Sequence, residues 1–170
     1  GRPSTMPAAL AGVDVMYLAP LIRTSHQVCR MAAGAGVRHI VDLAGAKGDH
    51  WQAVEDAVEA CGVPYTHLEP GEFMTNATIW APQIIAGDEV RDVYGDAANA
   101  PIALEDVAAV AARVLADGGH PGVSYPLTGP ESLTPRGRVA ILWRAIHRDI
   151  AFVPITHAQA VDRLMATGVS

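Results

Sequence analysis

Lysine is nearly absent from this 170-residue chain; Lys47 is the only one. Lysine and arginine together number 12 against 18 aspartates and glutamates, so the formal net charge is −6 and the pI is near 5.5. A general nucleic-acid binder presents a basic face, so that class is set aside and only local basic patches remain. Cysteine is scarce as well. Cys29 and Cys61 show no CxxC or Cys/His spacing and read as reduced, buried small apolar residues rather than a disulfide or a metal pair. The histidines (His26, His39, His50, His67, His120, His147 and His157) include no H-E-x-x-H or other ligand spacing, so no metal site is expected. No run reaches the roughly 18 apolar residues of a membrane span. No apolar h-region follows Gly1-Arg2-Pro3-Ser4, so no signal peptide is expected, and a cytoplasmic protein is the default reading.

What is present is an apolar chain: half its residues are hydrophobic, while only 5% are aromatic. Alanine and valine dominate, which suits thin, closely packed layers of helix and sheet. Ser4 is expected to cap a short helix through Leu10. The near-continuous apolar run Val13 to Leu18 predicts a strand buried on both faces, the mark of a parallel sheet. A helix over 24–35 and a second buried strand over 38–43 follow with tight connections, giving a βαβ unit. After the small-residue loop 44–48, Asp49 is expected to cap a helix. Its apolar face is Trp51, Val54, Val58 and Cys61, and Glu55, Asp56 and Glu59 read as its solvated face.

A third strand, 65–68, stops at Pro70-Gly71. Pro lacks a backbone N–H and Gly lacks a Cβ, so the pair marks the chain leaving a sheet. Farther on, Trp80, Ile84 and Ile85 suggest a helix ending near Gly87, and 90–94 a strand. Val107, Val110, Val114 and Leu115 stripe an alanine-rich helix, and a strand follows at 123–127. Ser132 or Thr134 caps a helix with Pro135 in its first turn and Val139, Leu142, Trp143 and Ile146 on its core face. A short strand at 150–153 precedes a last helix whose capping box is Thr156 and Gln159. The expected fold class is α/β, a parallel sheet flanked by helices.

Several phrases taken together resemble the NmrA-like branch of the atypical short-chain dehydrogenases/reductases. They are Ala35-Gly36-Val37-Arg38-His39-Ile40-Val41, Gly62-Val63-Pro64-Tyr65-Thr66, Pro70-Gly71-Glu72-Phe73-Met74-Thr75-Asn76, Pro101 to Ala108, and Leu127 to Thr134. The resemblance implies a partial Rossmann-type sheet that binds NADP or NAD, with a small C-terminal substrate lobe. It divides the single domain 1–170 into a Rossmann-type core, 1–71 and about 101–128, and a substrate lobe, about 72–100 and 129–170. It implies hydride transfer to a small carbonyl or quinone.

That branch begins with a strand and a G-x-x-G-x-x-G turn that seats the cofactor pyrophosphate at a helix N-terminus. No such turn occurs here. The expectation is therefore a truncated or naturally short form with weakened cofactor affinity. Its bare sheet edge would invite a homo-oligomer or another partner. The alternative is a non-catalytic dinucleotide-sensing regulator, or a degenerate member acting through protein contacts.

Ligands of open α/β sheets sit beyond the carboxyl ends of the strands. Candidate cofactor-binding residues are thus Ala19, Pro20, Leu43 and Ala44, with Pro70, Gly71 and Phe73 facing the nicotinamide by resemblance. Asn76 and Trp80 are the substrate-side candidates, although Trp80 falls on a helical apolar stripe and reads first as core packing. The Ser and the Tyr-x-x-x-Lys pair of typical short-chain dehydrogenases are absent, Ala44-Gly45 standing where the Ser would be. Glu69 occupies a position where the branch usually has Arg. His50 is the substitute candidate for moving a proton, its bland reading being an exposed first-turn residue. Lys47 meets either a phosphate or solvent.

Overall fold

The computed structural model describes residues 3–45 and 48–166, so Lys47 lies outside the described residues. A 3-10 turn at Pro3–Thr5 leads into α1 (Met6–Leu10), β1 (Val15–Leu18), α2 (Ile22–Ala35), β2 (His39–Leu43), α3 (Gln52–Glu59) and β3 (Tyr65–Pro70). A second 3-10 turn, Met74–Trp80, is followed by α4 (Ala81–Gly87), β4 (Glu89–Asp92), α5 (Leu104–Asp117), β5 (Val123–Leu127), α6 (Pro135–Ile146), β6 (Ala151–Pro154) and α7 (His157–Ala166). The chain divides into two compact units, Gly1–Phe73 with Ile102–Thr128 and Met74–Pro101 with Gly129–Ser170.

In the first unit, β1, β2, β3 and β5 form a parallel sheet in that order, with Leu18 opposite Asp42, Asp42 opposite His67, and Pro70 opposite Leu127. Successive side chains of a strand point to opposite faces. Ile40 therefore packs with Cys29, Ala32, Val54 and Val58 beneath α2 and α3. Val41 and Leu68 pack with Ala111 and Val114 beneath α5. Gly36 ends α2 in the left-handed region at φ 85°, its N–H donating back to the Ala32 and Ala33 carbonyls; a side chain there would be strained. In the second unit β4 pairs in parallel with β6. Trp80, Ile84, Val90, Val139 and Ile150 make its core. Its caps follow the sequence: Thr134 Oγ1 accepts from Gly137 N–H, and Gln159 Oε1 accepts from Thr156 N–H. Among the described residues no helix is long and apolar enough to cross a membrane.

Four expectations need correction. The helix expected from Ser4 to Leu10 begins instead as a 3-10 turn, Pro3–Thr5, that runs into α1, so Ser4 lies inside that turn and the N-cap position falls on Thr5. β1 is not buried on both faces: Tyr17 is 40% exposed, since β1 is an edge strand paired only with β2. On α6, Val139 is buried but Trp143 and Ile146 are 45% and 44% exposed; a two-stranded sheet is too narrow to cover the whole stripe. Glu55, expected in solvent, is completely buried. It sits beside Val54 on α3, and Gln52 on the same helix supplies it a hydrogen bond.

Candidate functional site

The carboxyl ends of β1, β2 and β3 bring six of the cofactor candidates to one edge of the sheet. Ala19 and Pro20 follow β1, Leu43 ends β2 with Ala44 next, and Pro70 ends β3 with Gly71 next. Ala44 N–H donates to the Leu68 carbonyl at 2.8 Å, so pairing continues one residue past β2. The chain also stays in the sheet longer than Pro70-Gly71 suggests. Gly71 N–H donates to the Leu127 carbonyl at 3.1 Å, and Ile102 N–H to the Glu72 carbonyl at 2.8 Å. Phe73, the seventh candidate, pairs with Ile102 in an isolated parallel bridge. The segment 70–73 is thus held extended from both sides rather than turning freely. Small residues, Ala19, Ala44 and Gly71, stand at the three strand tips.

His50 is exposed in the turn before α3, which begins at Gln52, and its ring lies 4.4 Å from the Trp51 ring centroid. Asp49 does not cap α3 as expected: the N-cap is Trp51, without a side-chain cap, and Asp49 Oδ1 instead accepts Trp51 N–H at 2.7 Å within the preceding turn. Gly45 fits closely here: a Cβ would lie 2.2 Å from Asp49 Oδ2, so the Asp49 carboxylate would have to move to admit one. Among the described residues, no cluster of His, Cys, Asp or Glu is arranged to hold a metal ion.

On the α5 face of the sheet Tyr17, Leu43, Phe73, Leu104, Val107 and Ala111 line an apolar hollow of about 360 Å³. Burial, then the negative charge of Asp42, raises the Tyr17 phenol above its ordinary pKa, so it stays protonated at neutral pH. Sequence reading missed Tyr17 because alternation within an all-apolar run does not say which face lacks a cover. The opposite face carries a different chemistry. His67 Nδ1 lies 2.7 Å from Asp42 Oδ1, both fully buried, and Glu55 lies nearby under α3. Spacing could not reveal this group, because its members come from β2, β3 and α3.

In the second unit, Asn76 is exposed in the turn Met74–Trp80. Trp80 is 4% exposed and donates its indole N–H to Asp92 Oδ2 at 2.7 Å. A cleft of about 610 Å³ lies among Gln83, Glu89, Arg91, Gln159, Asp162 and Arg163. Arg91 pairs with Glu89 at 2.5 Å, and Arg163 donates to the Arg91 carbonyl and to Gln83. The strand edge of the first unit, where the expected cofactor residues gather, is the stronger candidate.

No protein-family model matches the chain. It is 37% identical to a (4-alkanoyl-5-oxo-2,5-dihydrofuran-3-yl)methyl phosphate reductase of Streptomyces griseus, over 98% of this chain and 64% of that protein. It is 32% identical to an NAD(P)H azoreductase of Xenophilus azovorans, over 99% of this chain and 64% of that protein. The chain thus spans 64% of the length of these curated relatives. Among solved structures, an Escherichia coli NADPH-dependent quinone oxidoreductase complexed with NADPH superimposes with a TM-score of 0.88 at 23% identity, over 99% of this chain and 65% of that one. The fold is accordingly the Rossmann-type α/β fold of NAD(P)-dependent reductases, and the chain is similar in sequence to reductases over nearly all its length.

Proposed function

We propose that the chain is the part of an NAD(P)H-dependent reductase that holds the nicotinamide half of the cofactor and its acceptor. The observation that carries this reading is the single edge formed by Ala19, Pro20, Leu43, Ala44, Pro70 and Gly71 at three parallel strand ends, with Phe73 following. The cofactor, when bound, supplies a hydride. These residues would supply a flat, backbone-lined wall that orients the ring and keeps water from it. The pyrophosphate has no matching cradle, because no G-x-x-G-x-x-G turn occurs in the 170 residues. Kinship with the NmrA-like branch is the finer form of this reading and rests on the phrases quoted above.

The acceptor class we propose is a small conjugated carbonyl or quinone. The relatives' names give an oxo-dihydrofuran phosphate, an azo compound and a quinone, all conjugated acceptors that take a hydride at one atom and a proton at another. His50 is the proposed proton donor, being exposed and free of a buried partner network. Asn76 is the proposed substrate-side contact on the resemblance at Pro70–Asn76. Trp80 joins it only indirectly, by bracing the second unit's core.

Titrating NADPH fluorescence on this chain, and on a form extended at its N-terminus, tests the reading. Binding followed by cofactor oxidation on addition of a quinone supports a reductase. Binding without turnover favours a dinucleotide-sensing regulator, a second reading motivated by the missing Ser and Tyr-x-x-x-Lys. If neither form binds, the reading fails.

A further inference from the structure

Three ionisable side chains meet on the sealed face of the sheet. Asp42 of β2 and His67 of β3 are register partners, 0% and 2% exposed, and bonded at 2.7 Å. Glu55 projects from α3 and is 0% exposed. Each keeps one buried polar atom without a hydrogen-bond partner: Asp42 Oδ2, His67 Nε2 and Glu55 Oε1. The remaining contacts are few. Gln52 Nε2 donates to Glu55 Oε2 at 3.1 Å, and Glu59 Oε1 stands 3.5 Å from His67 Nε2, within ion-pair range but without hydrogen-bond geometry.

The facing groups from every packed element are acidic or neutral. From β3 come Glu69 and Tyr65, whose ring lies 4.5 Å from the imidazole; from α3, Glu59; from α2, the Cys29 thiol; Tyr17 of β1 lies on the other face of the sheet and feels the Asp42 charge through it. With Asp42 and Glu55 buried beside one imidazole, and Glu59 and Glu69 at the more exposed margin, full ionisation would leave excess negative charge in and beside a dry layer, which is costly. Holding protons relieves it.

We propose that Asp42, Glu55 and His67 form a buried proton-binding site that seats α3 on the sheet, so that the first unit tightens in mild acid and loosens as the pH rises. The electrostatics agree in sign. Burial raises the Asp42 carboxyl against the pull of His67, and burial likewise raises Glu55. Burial opposes a charged His67, yet the hydrogen bond and charge of Asp42, with Glu55 behind, carry it above the ordinary imidazole value. All three shifts mean that the folded chain binds more protons than the unfolded one. Stability therefore falls with pH between the unfolded and folded pKa values of each group. For the carboxylates that window opens at their ordinary values near 4, and for His67 near 6.5, each extending upward. His39, whose pKa burial lowers, works in the opposite sense below its ordinary value.

The test compares urea unfolding of the full chain with that of Glu55→Gln across pH 5 to 8.5, since the difference cancels His39 and other shared groups. The amide keeps an oxygen for Gln52. The wild-type unfolding constant is expected to rise by up to about tenfold per pH unit for each proton released, with a shallower rise in the variant. Parallel pH profiles overturn the proposal. Should E55Q fail to fold, nitrogen-15 NMR of the wild-type imidazoles decides: His67 must lose its charge at a higher pH than an ordinary imidazole, and a His67 that titrates like a free imidazole or below it sinks the site. The inference does not depend on the reductase reading, because neither measurement involves the cofactor.

Discussion

The two faces of the four-stranded sheet are built to different standards. One lies under α1, α2 and α3, with a continuous core from Leu10 through Ile40 to Val63, and it encloses Asp42, Glu55 and His67. The other has α5 as its cover and keeps an apolar hollow between Tyr17 and Leu115. Sealing a face makes burying charge consequential, because partners must be exact and protons become part of the structure. Leaving a face partly open beside the strand tips keeps apolar surface available to a ligand or another chain.

The sharpest way to break this contrast is to remove a polar partner from the sealed face. His67→Leu keeps the volume roughly constant but leaves Asp42 buried without its hydrogen bond. Breaking a buried pair in this way is expected to cost about 3–5 kcal/mol at neutral pH. Urea unfolding measures it. The penalty should shrink at pH 5, where a protonated Asp42 is cheaper to bury; a cost below about 1 kcal/mol at pH 7 would mean that water reaches this face freely.

Truncating one large aliphatic residue on each face comes next. Ile40 and Leu68 are both 0% exposed, on adjacent strands. Ile40→Ala and Leu68→Ala should each cost about 2–5 kcal/mol, with Ile40 toward the upper end. The cavity at Ile40 is enclosed by Cys29, Val54 and Val58, whereas the one at Leu68 lies on the face that already carries a hollow and can relax toward it. Equal costs in denaturant would erase the asymmetry.

How far the sequence anticipated these faces varies by residue. The strand expected at 38–43 was legible because buried parallel strands read as apolar runs, whereas the one expected at 65–68 was marked by the Pro70-Gly71 stop and in fact runs on to Pro70. The caps at Thr134 and Thr156 were legible because capping is local chemistry. Glu55 was not. A helix period assigns a carboxylate on the edge of the stripe to water, and what holds it inward comes partly from β2 and β3, beyond any local pattern. Tyr17 was illegible for the complementary reason: an apolar run does not say that its strand will lie at an edge. At the strand tips the sequence indicated which residues would be neighbours, but not that Leu127 and Ile102 would hold 70–73 extended.

A smaller effect is expected where the open face is closed at its amino end. Thr66 is fully buried; its hydroxyl donates to the His120 carbonyl at 2.7 Å and stands 2.9 Å from His39 Nε2. His120 in turn meets the Tyr125 hydroxyl at 2.5 Å. Thr66→Val preserves shape and strands the His39 nitrogen, for an expected loss of about 1–3 kcal/mol. Imidazole NMR should show His39 changing while His67 stays unmoved, since the two side chains lie on opposite faces.

The smallest stability change should come from filling the hollow. Ala112 is exposed on α5 and borders it, so Ala112→Phe adds a ring over apolar surface without displacing a buried side chain. Unfolding free energy should move by no more than about 0.5 kcal/mol, as for other surface changes. Binding of a fluorescent anilinonaphthalene dye, which reports accessible apolar surface, should fall about threefold or more. Ile40→Val, a small change on the sealed face, should leave the dye signal where it was. If A112F does not reduce dye binding, the hollow is not the accessible apolar surface of the first unit. The openness of the α5 face would then be a matter of loose packing rather than of a surface able to receive a ligand.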